Sequence, residues 1–192
     1  MNYKKIAKFI KDARHLTIWN DGSLQYISDG VAVYPVFGMP KMNEMEMLNF
    51  LGLMDKSSAI STVMKPAPEF LKNASYDECS DSILEKTGPL IINRGEVYRS
   101  FYTESGAVVV KNCYISAVET GVDKDIPVIH CLTDIRNINA VAVFVGFDLY
   151  AIVMPIDTKG LYKEYLGLST MLQLAEQAQI RKTTEGFDEG EE

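Results

Sequence analysis

The chain has 192 residues, 47% of them hydrophobic, with ten Tyr, eight Phe and nine Met, enough for the core of one medium domain or two small, closely packed ones. Its net charge of −7 argues against a protein coated in nucleic acid, and no run of about 18 apolar residues offers a membrane span. Cys79, Cys113 and Cys131 are odd in number and form no CxxC pair, which disfavours a disulfide framework or zinc knuckle and predicts reduced, partly buried thiols.

Residues 3–14 carry Ile6, Phe9, Ile10 and Ala13 at helical spacing, which predicts an amphipathic helix. Lys4, Lys8 and Lys11 project from its opposite face, flanked by Lys5 and Arg14, in a row that reads either as a track for a phosphate backbone or as a solvated outer face. This basic start is too often broken by charge to be a signal peptide, so a cytoplasmic protein with no membrane partner is expected.

Leu16–Trp19, Leu24–Ser28 and Val31–Phe37 read as strands separated by Asp21-Gly22 and Asp29-Gly30, the chemistry of tight hairpin turns. Pro35 cannot donate to a ladder, which predicts an edge or bulged position for the third strand. A helix is expected near 43–53, with Asn43 as N-cap, Glu44 and Glu46 in its first turn, and Met45, Met47, Leu48 and Leu51 towards the core. Residues 55–88 read as an irregular insertion with one short helix around Ser80–Lys86.

Strands resume at Pro89–Ile92, Glu96–Thr103, Ala107–Lys111, Tyr114–Val118, Ile126–Leu132, Ala140–Val145 and Leu149–Ile156. A long helix is expected at 159–181, followed by a disordered acidic tail at 183–192. The fold class is α+β, with antiparallel sheets and helices at the start, near 43–53 and at 159–181.

A weak self-similarity overlays this order, read either as an internal duplication or as coincidence between two ordinary strand-Pro-helix passages. Met39-Pro40 returns as Met154-Pro155, Leu51-Gly52-Leu53 as Leu166-Gly167-Leu168, and His15 as His130, all at an offset of 115. The expected domains are a first repeat at 1–115 that holds the insertion, a partial second repeat at 116–182, and the tail.

No catalytic constellation stands out. GxxxxGK[ST], GxGxxG and GxSxG are all missing, and His15 and His130 stand in no metal-ligand spacing, so no enzyme, cofactor or metal is expected. His130 and Cys131 are adjacent on a strand and point to opposite faces, which denies them the role of base and nucleophile. Asp29 belongs to a turn whose local hydrogen bonding accounts for it. Trp19, Tyr26, Tyr34, Tyr98 and Tyr102 lie on strands, where they serve either as stacking platforms for single-stranded nucleic acid or as packing.

The turn Ser28-Asp29-Gly30, the apolar run Val31–Phe37, Met39-Pro40 and the helix from Asn43 together resemble the DNA sliding clamps, the ring-forming processivity factors. Tyr150-Ala151-Ile152-Val153-Met154-Pro155-Ile156 is similar to the motif that ends bacterial clamp chains. The resemblance implies helices facing DNA within a homo-oligomer, with Lys4, Lys5, Lys8, Lys11 and Arg14 as the DNA-binding residues. The expected function is a non-catalytic DNA-associated accessory protein. The alternative is a phage or mobile-element protein-binding module that inhibits a host nucleic-acid-processing enzyme, as anti-CRISPR proteins do, using its acidic surface.

Overall fold

The computed structural model describes residues 1–156, apart from positions 23, 73, 80, 81, 85, 86, 94, 104, 105, 121, 124, 136 and 137. The helix expected at 159–181 and the tail at 183–192 lie outside the described residues.

Helix α1 (Tyr3–Ala13) begins where the Asn2 side chain accepts the Lys5 N–H, and it buries Ile6, Ala7 and Ile10. It ends at Arg14, whose left-handed φ of 53° lets its N–H reach the Ile10 and Lys11 carbonyls. Strands β1 (His15–Asp21), β2 (Leu24–Ser28) and β3 (Ala32–Val36) then form an antiparallel meander. Both expected Asp-Gly turns are present, with Gly22 at φ 49° and Gly30 at φ 94°.

Helix α2 (Glu44–Phe50) opens with a full capping box, in which Asn43 accepts the Glu46 N–H and the Glu46 carboxylate accepts the Asn43 N–H. Met47, Leu48 and Leu51 are buried as expected, but Met45 is 52% exposed. Its place two residues before Met47 puts it on the opposite side of the helix.

Residues 55–88 are more regular than their sequence suggests. A 3₁₀ turn, Met54–Ala59, leads into β4 (Ser61–Pro66), which pairs parallel with β1, and α3 (Glu69–Lys72) and α4 (Tyr76–Cys79) follow. The short helices therefore precede the expected position, and Ile83 forms an isolated antiparallel bridge with Cys131. A three-stranded antiparallel sheet comes next, β5 (Thr87–Asn93), β6 (Glu96–Thr103) and β7 (Gly106–Lys111).

The stretch expected as a strand at Tyr114–Val118 is instead helix α5 (Asn112–Glu119). Tyr114, Ile115, Ala117 and Val118 are all buried, a one-sided 1-2-4-5 spacing that only a helix produces, so tertiary burial overrides local strand preference. The expected boundary between residues 115 and 116 falls inside this helix. Strands β8 (Val128–Asp134), β9 (Asn139–Val145) and β10 (Asp148–Val153) complete a second meander.

The seven-stranded sheet runs β4-β1-β2-β3-β10-β9-β8. It is mixed rather than purely antiparallel, because β4 lies parallel to β1. The class is nevertheless α+β. A helix followed by an antiparallel meander thus occurs twice, and the two meanders join through antiparallel β3 and β10, with Val33 opposite Ile152 and Ala32 opposite Val153.

Pro35 therefore sits in a central strand, not an edge one. Alternation aims its imide nitrogen at β10, beyond the last paired residue Val33, so no ladder bond is lost. One sheet face packs Leu16, Ile18, Ile27, Tyr34 and Val143 against α1, α2, α5 and the three-stranded sheet. The other packs Tyr26, Val33, Phe144 and Ile152 against Leu71 and Cys79 of the insertion.

Candidate nucleic-acid interface

Helices α1 and α5 lie side by side on one sheet face. The Asn2 N–H donates to the Ala117 carbonyl at 2.8 Å, and the Phe9 and Tyr114 rings meet at 4.7 Å. Burial of Ile6, Ala7 and Ile10 turns the other side of α1 to solvent, where Lys4, Lys8, Lys11 and Arg14 are all exposed. At about 1.5 Å rise per residue, Lys4 to Lys11 spans about 10 Å of helix axis.

Lys5 does not share this face. Its ammonium donates to the Ser116 carbonyl at 3.4 Å and the Thr120 hydroxyl at 3.1 Å, because residue 5 points along the seam towards α5. Of the five cations expected to contact DNA, Lys5 is committed to the fold and four stand clear. Among the described residues none of the four forms an ion pair.

The helix dipole favours Lys11 in the last turn and Arg14 at the C-cap, but folding does not explain Lys4 and Lys8. Lys4 occupies the first turn of α1, where the helix dipole disfavours a positive charge by a few tenths to about 1 kcal/mol, and no acid accompanies it there. Lys4 and Lys8 are four apart and Lys8 and Lys11 three apart, spacings at which like charges repel by about 0.2–0.5 kcal/mol per pair.

The exposed side of α5 is not basic. It presents Cys113 and Thr120, and its Glu119 is held inward by other elements. Arg99 of β6 grips Glu119 in a two-pronged pair, 2.5 Å and 2.9 Å, and donates through Nε to Asn112 at 2.9 Å. His130 Nε2 lies 3.4 Å from the same carboxylate, too poorly aligned to count as a hydrogen bond. Burial opposes ionisation of Glu119, but His130 and Arg99 together outweigh it and hold the carboxyl down to about 2.

A second buried carboxylate ties the first meander to α5. Asp29 accepts the Val31 and Ala32 N–H groups at 3.0 and 2.9 Å, the local role its turn predicts, and also the Tyr114 hydroxyl at 2.9 Å. Burial, then the Asp29 charge, raises the Tyr114 pKa well above its ordinary value, so the hydroxyl stays a donor. Tyr114→Phe strips a buried carboxylate of one partner and is expected to cost about 1–3 kcal/mol, read as a lower urea midpoint at unchanged m-value.

The other sequence candidates do not form a site. Tyr26, Tyr34 and Tyr98 are at most 6% exposed, so they pack and offer no face to a base. His130 and Cys131 do point to opposite faces, the imidazole stacking on Phe101 at 5.1 Å while the thiol joins Cys79 and Phe144. Burial, with Cys79 adding to it, pushes the Cys131 thiol up to about 11, which leaves it protonated and unreactive at neutral pH. Among the described residues no three His, Cys, Asp or Glu side chains gather to hold a metal, and no helix is long and apolar enough to cross a membrane. No protein-family model, curated protein or solved structure matches the chain.

Proposed function

We propose that this is a non-catalytic accessory protein that associates with DNA through the outer face of α1. The observation that carries the reading is the row Lys4, Lys8, Lys11 and Arg14, exposed on one side of α1 and without an ion-pair partner among the described residues, with Lys4 in a first turn where the helix dipole disfavours a cation. Cations kept against local preference are the usual mark of a surface selected for a ligand, and a row of them along one helix suits the phosphate backbone. The two helix-and-meander units, joined through β3 and β10, support an internal duplication and the clamp-like reading of the same chain. On that reading the chain works as a homo-oligomer, with α1 of each copy facing DNA.

The test is retention of a labelled duplex at low salt by the wild type and by the Lys4→Glu, Lys8→Glu, Lys11→Glu triple variant. All three residues are exposed, so the variant keeps its fold while reversing six units of charge on one face. Retention is expected to fall by at least about a thousandfold. Unchanged retention by a folded triple variant would sink the reading.

A second reading, a module that binds a host nucleic-acid-processing protein, draws on β5. This strand pairs only with β6 among the described residues and exposes Leu90 at 58% and Ile92 at 75%. Capture of one defined partner that is lost with Leu90→Lys, Ile92→Lys would favour it.

A further inference from the structure

Just beyond α1 the chain turns at Arg14, and the Ser61 N–H donates to the Arg14 carbonyl at 3.0 Å. This bond draws the preceding 3₁₀ turn, Met54–Ala59, alongside the end of the helix. Lys11, Asp12, Arg14, Lys56, Ala59 and Ile60 line the resulting groove of about 510 Å³. Three cations face one carboxylate, and among the described residues neither Lys56 nor Arg14 has an ion-pair partner.

We propose that this groove seats a backbone phosphate of bound DNA, with Lys56 as a fifth cation supplied from outside α1. The proposal rests on the DNA-binding reading and gives it an end point on the surface. A guanidinium offers a planar fork that matches a phosphate and ammonium groups supply point charge, so Arg14, Lys11 and Lys56 on one groove have the donor set for one phosphodiester. The remaining wall, Ala59 and Ile60, carries no side-chain acceptor that would favour a cationic ligand.

The backbone of Arg14 adds an independent argument. Its φ of 53° makes it the one non-glycine residue with positive φ among the described residues. Glycine takes that conformation without cost and ends helices for that reason, so backbone conformation favours glycine here even though the helix dipole favours a cation at this end. An arginine at this position keeps a long cation at the mouth of the groove.

The test measures the affinity of a fluorescently labelled duplex across a salt series for the wild type, Lys56→Ala, Arg14→Gly and the pair Lys4→Ala, Lys8→Ala. Thermal melting is followed in parallel. Lys56→Ala and Arg14→Gly are each expected to shallow the slope of log K against log salt by about one unit. Arg14→Gly is expected to do so while melting at the same or a higher temperature, so that its weaker binding does not come from unfolding. If both groove variants bind with the wild-type slope while Lys4→Ala, Lys8→Ala weakens binding, the groove proposal is overturned and the DNA-binding reading survives. No binding by the wild type at low salt overturns both.

Discussion

Phe101→Ala is expected to destabilise the protein by about 3–5 kcal/mol, the usual cost of emptying a fully buried aromatic site. The ring is 0% exposed and belongs to the same core as Ile6 of α1, Ile115 of α5 and Val143 of β9. With Val108 and Val110 it plugs the three-stranded sheet into the core of the seven-stranded one, and its contact with the His130 ring crosses that junction. Neighbouring backbone is held by two sheets and two helices, so collapse around the void is limited. Urea titration followed by tryptophan fluorescence and by circular dichroism reads the loss. A change under about 1 kcal/mol would mean that the two sheets do not share one core.

The ion cluster on α5 is expected to make the fold acid-sensitive over a defined range. The Glu119 carboxyl is held near 2 against an ordinary 4.5, so its contribution is present above the unfolded value and is lost as pH falls from 4.5 towards 2. The difference corresponds to about 3 kcal/mol, and the 28% exposure of the side chain makes that an upper figure. Glu119→Gln is expected to remove most of this pH dependence and to lower stability at neutral pH by about 2–3 kcal/mol, because Arg99 then sits half-buried without a counter-charge. Replacing both partners, Arg99→Met with Glu119→Leu, is expected to recover part of that loss. Melting curves between pH 2 and 7 decide the matter. An unchanged acid limb in Glu119→Gln would show that other carboxylates govern it.

The parts of the fold that are legible in sequence are those set by local chemistry. Asn43 announces its helix through capping, Asp21-Gly22 and Asp29-Gly30 announce their turns, and Ile6 and Ile10 fix the buried side of α1. What escapes is decided at long range. The stretch NCYISAVE is rich in residues that favour strands, and only the 1-2-4-5 spacing of Tyr114, Ile115, Ala117 and Val118 hints at α5. The sequence of β4, STVMKP, carries a proline and a lysine and alternates weakly, as an edge strand with one partner can, so it reads as loop.

The candidate site divides in the same way. The lysine row follows from helical spacing alone, and the structure leaves Lys4, Lys8, Lys11 and Arg14 exposed. That Lys5 is spent on Ser116 and Thr120 depends on α5 lying alongside, and nothing local to residue 5 signals it. Lys56 carries no signal either, because its nearness to Arg14 comes from the parallel pairing of β4 with β1. The cluster of Arg99, Glu119 and His130 joins three separate elements, β6, α5 and β8, and has no motif.

The most direct test of the central claim is the affinity of the wild-type protein for a labelled duplex, measured by anisotropy as salt is raised. A face that uses Lys4, Lys8, Lys11 and Arg14 predicts a slope of about −4 in log K against log salt, and about one unit steeper with Lys56, so affinity falls by at least about 250-fold between about 50 and 200 mM. With the Lys4→Glu, Lys8→Glu, Lys11→Glu variant the binding should vanish. A wild-type protein that fails to bind at 50 mM salt, or binds with a slope near zero, would contradict the account.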